Sequence, residues 1–299
     1  MEKKQPQISE KIMYYLLKVL VFLITLIPLK FLYWAGAAAT SIVFMLWKEK
    51  RDNVYKNYNI ILSKKFGRPA RPEEIKNVMK QNFKNYGMFN AEFLYLNKMV
   101  KKGMVPEMRN KETINTALSK GKGLVMCTLH FSNWDIAGLA ISGHYDNVCA
   151  IADDLGGGYS RFIQETRGKY GIKVILPNKN LKDAYRCLNT NGILNILVDR
   201  PVSRADKRGV EAEFFGKKTF VAGTAAAIVL KTGAEVMLGC AVRDKNKFYG
   251  NPGKIIDFKP SGNYNYDIQI LTQKILNESE KLIMKFPEQW YMFRDFWKK

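Results

Sequence analysis

The sequence predicts an α/β fold, with a largely parallel or mixed sheet covered by helices on both faces and a hydrophobic helical N-terminus. Three observations carry this prediction. Short apolar runs recur from residue 123 onward, helical patterns lie between these runs, and residues 12–47 form an apolar stretch whose only charged residues are Lys18 and Lys30. Continuous apolar strands that alternate with helices are typical of a sheet buried on both faces.

The predicted strands are compact apolar runs bounded by polar or turn-forming residues. They cover 123–129, 147–152, 171–176, 192–198 and 234–242, and residues 247–258 are predicted as an added edge strand. Helical patterns cover 133–143, 159–169, 179–190, 223–232 and 266–286, the last an amphipathic helix that ends before Pro287. This alternation favours parallel strands joined by helical crossovers.

Residues 1–50 are predicted to be a membrane anchor. They contain two apolar runs, 12–29 and 31–47. A helix of about 18 residues is roughly 27 Å long, which is the lower limit for crossing a bilayer. Basic residues flank both outer ends, and this favours a hairpin or an in-plane anchor whose ends face the cytoplasm. A single span and a pair of buried core helices are the alternatives.

The rest of the chain is predicted to divide at residue 111. Residues 51–111 form a basic helical segment, interpreted both as a solvated face over an apolar stripe and as a surface for anionic lipid headgroups. Residues 112–299 hold the strand–helix alternation and form the predicted α/β domain.

Composition excludes several classes of protein. The chain has 299 residues, 47% of them hydrophobic, which is too apolar for a disordered chain. Its four cysteines lie in apolar runs and predict buried thiols of a reducing compartment, and with only two histidines no metal site is indicated. The net charge of +21 indicates an anionic partner, which is nucleic acid, a membrane face, or an acidic or phosphorylated molecule.

One histidine stands directly after the first apolar strand of the α/β domain. His130 is followed five residues later by Asp135, and Ser132 and Asn133 between them favour a helix start. If the chain turns there, the carboxylate could accept a hydrogen bond from one ring nitrogen and leave the other as a base. The structural alternative is a strand-end histidine followed by a helix-capping aspartate. Because no G-x-S-x-G serine is present and Cys127 faces the other side of its strand, the base would act directly on a substrate hydroxyl.

Five stretches then follow one another along the chain: HFSNWD (130–135), ETRGKYGIKVI (165–175), VDRPVSRADKRGVEAEFFGK (198–217), TFVAGTAAAIVLKTGAEVMLG (219–239) and WYMFRDFW (290–297). Together they resemble the bacterial lipid A late acyltransferases, which belong to the wider H-x4-D group of glycerolipid and lysophospholipid acyltransferases. The resemblance covers essentially the whole chain. It implies a layered αβα mixed sheet of the glycerolipid acyltransferase type. One departure is Asp135, where many members of the lipid A branch carry glutamate.

The resemblance also implies roles for individual residues. His130 would be the general base and Asp135 its partner, while Arg167, Asp199 and Asn133 would bind substrate. In this assignment Arg167 holds a phosphate or pins the site, and Asp199 is a polar organiser of the pocket. The structural alternatives are a helix-end cation for Arg167 and a strand-end ion pair for Asp199.

The implied reaction is transfer of a fatty acyl chain from an acyl thioester to a hydroxyl of a lipid A precursor or related glycolipid. Acyl–acyl carrier protein is the expected donor and acyl-CoA the alternative, with no metal or cofactor. The expected place is the cytoplasmic face of the inner membrane, on an anionic membrane surface. Two other functions stay open: acylation of a lysophospholipid or other glycolipid from acyl-CoA, and non-catalytic binding to a membrane surface. No motif supports nucleic acid as the partner.

Overall fold

The computed structural model describes residues 8–104, 106–153, 156–176, 181–245 and 247–297. Four helices come first: α1 (Ile8–Leu26), α2 (Leu29–Leu46), α3 (Lys48–Phe66) and α4 (Pro72–Lys101). The strands are β1 (Glu107–Met108), β2 (Leu124–Thr128), β3 (Val148–Ile151), β4 (Ile172–Ile175), β5 (Ile193–Leu197), β6 (Gly209–Phe214), β7 (Lys217–Ala222), β8 (Glu235–Asp244) and β9 (Lys247–Ile255). The later helices are α5 (Lys111–Leu118), α6 (Trp134–Ser142), α7 (Gly157–Gly168), α8 (Lys182–Asn189), α9 (Thr224–Thr232) and α10 (Tyr264–Lys285).

The main sheet is mixed and confirms the predicted α/β class. Among the described residues it has seven strands in the order β1-β9-β8-β2-β5-β3-β4, and each pair is parallel except β8 with β9. Each of the six predicted strands is present. The helix predicted over 179–190 begins at Lys182, and residues 177–180 lie outside the described residues. Strand β9 was predicted at the edge, but the short strand β1 pairs along its outer side.

The hairpin of β6 and β7 was not predicted. Phe215 and Gly216 both have positive φ, at 52° and 75°, and join the two strands as a two-residue turn. Such turns match the twist of antiparallel strands. The sequence signal was a Phe-Gly pair rather than the more familiar Asn-Gly.

The basic helical segment packs into the same core as the sheet. Tyr58 of α3, Phe83 of α4 and Val125 of β2 belong to one buried cluster, together with residues of α9 and α10. The predicted division at residues 50 and 111 stays a prediction, but helices α3 and α4 share their apolar core with the α/β part. All four cysteines are buried and free, as predicted.

Helices α1 and α2 each pack with one side against the domain. A Cβ on Gly158 of α7 would lie 2.4 Å from the Glu10 carbonyl oxygen, so α1 and α7 approach closely. Lys18, which interrupts the apolar pattern of α1, binds Glu165 of α7 over 3.1 Å. Side chains on the outward side are apolar and more than 40% exposed, including Ile12, Leu16, Val19, Phe22, Leu23, Leu26, Phe31, Trp34, Ile42, Met45 and Leu46. We call these the exposed apolar face.

Among the helices in the described part of the chain, α2 is the one that is long and apolar enough to cross a membrane, judged by length and composition alone. Its contact with α4 depends on two glycines. A Cβ on Gly87 would lie 2.2 Å from the carbonyl oxygen of Gly36, which is backbone and cannot move aside alone. The packing of α2 on the domain is therefore specific rather than incidental.

Replacing Gly87 with alanine should weaken this contact. Overpacking typically costs about 1–3 kcal/mol of unfolding free energy, and we expect a loss of this size. Gly168→Ala is the matched control, because no atom lies within 4 Å of a Cβ at that helical position. Thermal unfolding of both variants in one detergent checks this. Equal midpoints for the two variants would show that α2 is not seated on α4 as described.

Candidate active site

The candidate site is built on the turn between strand β2 and helix α6. We call residues 129–133 the His130 turn. Ser132 has a φ of 51°, in the left-handed region, which reverses the chain after the strand. The C-terminal segment holds the turn in place: Ser132 N–H donates to the Gln289 carbonyl and Tyr291 N–H donates to the His130 carbonyl, each over 2.7 Å. Residues from the far end of the sequence therefore fix the backbone of His130.

His130 is bound to Asp199 through both its ring and its backbone. Nδ1 lies 2.8 Å from Oδ1 of Asp199, and the His130 N–H donates to Oδ2 over 2.8 Å. Trp290 Nε1 also donates to Oδ2, over 2.7 Å, and Asp199 is fully buried. Because an ionised carboxylate only accepts hydrogen bonds, the ring proton belongs on Nδ1. Nε2 then keeps its lone pair and can act as a base.

Sheet register explains why these two residues meet. Strands β2 and β5 are parallel neighbours, and Thr128 pairs with Leu197 at their carboxyl ends. His130 and Asp199 each lie two residues beyond that pair. When two residues lie equally far beyond a paired position on neighbouring parallel strands, they reach the same edge of the sheet.

The pair is electrostatically coupled. Burial lowers the pKa of His130. The charge of Asp199 and its hydrogen bond raise that pKa by more than burial lowers it, so the net direction is upward. The guanidinium groups of Arg200 and Arg294 oppose this rise. Burial raises the pKa of Asp199, yet His130 and the hydrogen bonds from His130 and Trp290 lower it overall. Asp199 is therefore held as a carboxylate, and its charge favours the imidazolium that forms when His130 accepts a proton.

Asp135 is not the partner of His130, so the contact predicted from their five-residue spacing is wrong. Its Oδ1 instead accepts from Arg167 Nε over 2.7 Å. Asp135 lies in the first turn of α6, and Arg167 comes from the last turn of α7. The first turn of α6 therefore directs the carboxylate towards α7 rather than towards the imidazole. With its charge balanced by Asp135, Arg167 is a poor candidate for a phosphate ligand.

Asn133 was predicted to touch substrate, but its side chain is fully buried. Its Oδ1 caps helix α6 by accepting from Ile136 N–H over 3.0 Å, and its Nδ2 donates to Glu92 over 2.9 Å. Glu92 also pairs with Arg243 of β8, over 2.7 Å between Nη2 and Oε2, and with the hydroxyl of Tyr33 of α2. Asn133 thus positions the His130 turn rather than contacting substrate.

Two cavities lie beside the turn. The first, which we call the apolar cavity, has a volume of about 80 Å³ and runs between α6 and the sheet. Its lining residues include Trp134, Asp135, Arg167, Met108 and Ile114. The ring centroid of Trp134 lies 5.4 Å from that of His130, so this cavity ends close to the imidazole.

The second cavity, which we call the His130 cavity, has a volume of about 390 Å³. His130 and Asp199 lie in its wall, and Thr40, Val43 and Trp47 from the end of α2 form another part of it. Its remaining lining residues are Lys50, Phe83, Tyr86, Arg200, Pro201, Tyr291, Met292, Phe293 and Arg294. The imidazole therefore faces a space that borders the exposed apolar face.

Sequence reasoning missed Trp290, Glu92 and Arg243 as parts of this site. Trp290 lies in the aromatic C-terminal motif, which was noticed but given no role. Glu92 is an acid within an apolar helical stripe, and such a residue is buried only when it is paired. Within the described ranges no group of His, Cys, Asp and Glu could hold a metal ion, and the absence of a cofactor stays a prediction.

Comparison with known proteins agrees with the motifs. The family described as bacterial lipid A biosynthesis acyltransferase matches residues 1–299. A phosphatidylinositol mannoside acyltransferase of Mycolicibacterium smegmatis is 24% identical over 189 residues, which cover 61% of this chain and 59% of that protein. A protein of the same name from Mycobacterium tuberculosis is 24% identical over 191 residues, 62% of this chain and 57% of its own length. The chain thus spans less than two thirds of these relatives. The family match over the full length shows that this chain belongs to the bacterial lipid A biosynthesis acyltransferase family.

Proposed function

We propose that this protein is a membrane-associated O-acyltransferase that moves a fatty acyl chain from an acyl thioester to a hydroxyl of a glycolipid, with His130 as the general base. One observation carries the proposal. The imidazole is fixed by Asp199 through Nδ1, and it faces a cavity whose wall is partly the apolar helix α2. A base placed between a hydrophobic surface and an apolar cavity suits a reaction between a lipid and an acyl chain.

The proposed reaction needs no covalent enzyme intermediate. His130 Nε2 takes the proton of the acceptor hydroxyl while the hydroxyl oxygen attacks the thioester carbonyl. The tetrahedral intermediate then collapses, and the leaving thiolate receives the proton from the imidazolium. The new ester and a free thiol are the products, and Asp199 stabilises the imidazolium in between.

The oxyanion of that intermediate needs hydrogen-bond donors. The first N–H groups of a helix have no partner within the helix. In α6 the side chain of Asn133 takes the N–H of Ile136. We assign the N–H groups of Trp134 and Asp135 to the oxyanion, because they lie at the helix end nearest His130 and carry its positive dipole.

The acyl chain of the donor is assigned to the apolar cavity. Met108, Ile114, Ala140 and Ile141 are among its apolar lining residues. Such a cavity buries hydrocarbon without unsatisfied polar groups, and its depth limits the chain length that fits.

Two substitutions should change chain-length preference in opposite directions. Ala140→Leu adds bulk to the cavity, so we expect activity with the longest accepted donor to fall about tenfold relative to a donor shorter by two carbons. Ile114→Ala removes bulk and should favour longer donors by a similar factor. Competition between donors of different length, read by mass spectrometry of the product, measures the ratio. If both variants shift in the same direction, or neither shifts, the acyl chain does not lie in this cavity.

The acceptor is proposed to reach His130 from the membrane. The exposed apolar face and the net charge of +21 both suit an anionic bilayer surface, and helix α2 joins that face to the His130 cavity. We place the protein at the cytoplasmic face of the inner membrane. An acidic acyl carrier protein suits the same charge, because opposite charges accelerate encounter, and acyl-CoA is the alternative donor.

The family and the relatives support the choice of acceptor class. We propose a lipid A precursor or a related glycolipid, with a mannosylated phosphoinositide as the next candidate and a lysophospholipid after it. Purified protein should be incubated with acyl–carrier protein or acyl-CoA and a panel of these lipids, and the products read by mass. A protein that only binds membranes would associate with vesicles but release no free thiol. That result, with every donor and acceptor, would overturn the proposed function.

A further inference from the structure

We propose that Arg294 and Lys50 form a phosphate-binding subsite in the His130 cavity, and that the phosphate belongs to the headgroup of the lipid acceptor. The inference rests on the proposed function for the identity of the acceptor. An anionic phosphate is also present on the donor, as the phosphodiester of a phosphopantetheine arm. The subsite takes over the phosphate-binding role that the sequence assigned to Arg167, which Asp135 neutralises.

The charges in the wall of the His130 cavity are almost all positive. Lys50, Arg200 and Arg294 line it, and the acid among its lining residues, Asp199, is sealed beneath His130 with no exposed surface. Arg200 is already bound to Asp153, so its charge is partly balanced. Throughout the described part of the chain, no carboxylate lies within ion-pair distance of Arg294 or Lys50. These two cations are therefore available to an anionic ligand.

The backbone around Arg294 is held in place by hydrogen bonds and ring packing. The side-chain amide of Asn57, which is buried, donates to the carbonyl of Arg294 over 2.7 Å and to the carbonyl of Met292 over 3.0 Å. Phe293, between them, packs its ring against Tyr86 at a centroid distance of 4.7 Å. The guanidinium itself is exposed. A fixed backbone with an exposed guanidinium is suited to a phosphate, since little further ordering is needed to bind it.

Lys50 places the subsite at the membrane border. It lies in the first turn of α3, and its Nζ is 5.4 Å from the ring centroid of Trp47, which follows α2. Trp47 is more than half exposed and adjoins the exposed apolar face. A lipid whose hydrocarbon chains lie against α2 would therefore bring its headgroup phosphate to Lys50 and Arg294. This arrangement favours the acceptor over the donor as the source of the phosphate.

The first experiment measures binding without turnover. Inorganic pyrophosphate is titrated calorimetrically into the full-length protein in detergent, using wild type, Arg294→Gln, Lys50→Gln and the double variant. We expect the double variant to bind at least tenfold more weakly, because hydrogen bonds to charged groups are lost. Lys217→Gln is the matched control, since it removes one exposed charge on β7 that lines neither cavity, and this variant should bind as wild type does. Equal binding by wild type and the double variant, or no saturable binding by wild type, would overturn the subsite.

The second experiment identifies the source of the phosphate. At a pH where His130 is neutral, Arg294→Gln should raise KM about ten- to a hundredfold for a phosphorylated acceptor, and little for the same lipid after phosphatase treatment. If KM rises instead for acyl–carrier protein but not for an acyl-N-acetylcysteamine donor, which has no phosphate, the subsite serves the donor. If neither KM changes, the subsite is refuted. Failure of the proposed function is a separate result, because wild type would then bind pyrophosphate yet transfer no acyl chain.

Discussion

Replacing His130 with alanine is expected to lower kcat about 10²- to 10⁴-fold, which is the usual contribution of a positioned general base. The imidazole is the group in the His130 cavity that can accept the hydroxyl proton near neutral pH, and Asp199 holds it in the required tautomer. Stability should change little, because the His130 side chain is 30% exposed and Asp199 retains its bonds from Trp290 and the His130 backbone. Steady-state transfer of a radiolabelled acyl chain measures the effect.

The chain supplies its own control for this experiment. His144 is the other histidine, and it lines neither cavity. Its Nδ1 lies 2.9 Å from the carbonyl oxygen of Ala140 in α6. His144→Ala should keep near wild-type kcat and should unfold at a similar temperature. A His130→Ala variant that retains more than a tenth of wild-type kcat would remove the general base from the mechanism.

Asp199→Asn is the second large effect, and it has a distinctive pH dependence. The amide preserves the shape of the carboxylate but cannot stabilise the imidazolium, so kcat should fall about 10²-fold or more. In the proposed mechanism the neutral imidazole is the active form, so kcat/KM should rise as pH increases through the pKa of His130. The charge of Asp199 raises that pKa. Removing it should therefore move the rising limb of the profile to lower pH.

Two further variants test the sign of this shift. Arg294 lowers the pKa of His130, so Arg294→Gln should move the rising limb to higher pH, opposite to Asp199→Asn. Asp135→Asn should leave the limb in place, because that carboxylate is bound to Arg167. Profiles of kcat/KM against pH for the three variants decide the matter. A shift caused by Asp135→Asn and none caused by Asp199→Asn would restore the partner that the five-residue spacing predicted.

The error over Asp135 has a physical origin. Spacing along the sequence reveals which residues share a turn, and His130 and Asp135 flank the same turn. Their side chains diverge because the strand ends before the turn and Asp135 belongs to the first turn of α6, where its carboxylate binds Arg167 of α7. The carboxylate that reaches the imidazole comes from a neighbouring parallel strand. Asp199 was recognised as a strand-end residue, but its partner depended on a strand order that a single sequence does not contain.

The anchor shows the same division between local and long-range information. The apolar runs at 12–29 and 31–47 were evident, as was the unusual Lys18 within the first. That Lys18 turns towards Glu165, and that α2 forms a wall of the His130 cavity, depend on contacts with α7 and α4. The exposed apolar face is therefore a product of both: periodicity supplies the apolar side chains, and packing decides which of them remain exposed.

By itself the sequence determined the class of fold, the approximate extent of six of the nine described strands and of helices α6 to α10, the histidine that is the candidate base, and the family. These depend on apolar periodicity, turn residues and short motifs, all of which act over a few residues. The tertiary structure alone decided that Asp199 supports His130, that Asn133 is a buried cap, and that Arg294 and Lys50 face the same cavity as the base. Each of those facts joins residues far apart in the chain, and such pairs are set by strand order and helix packing rather than by local pattern.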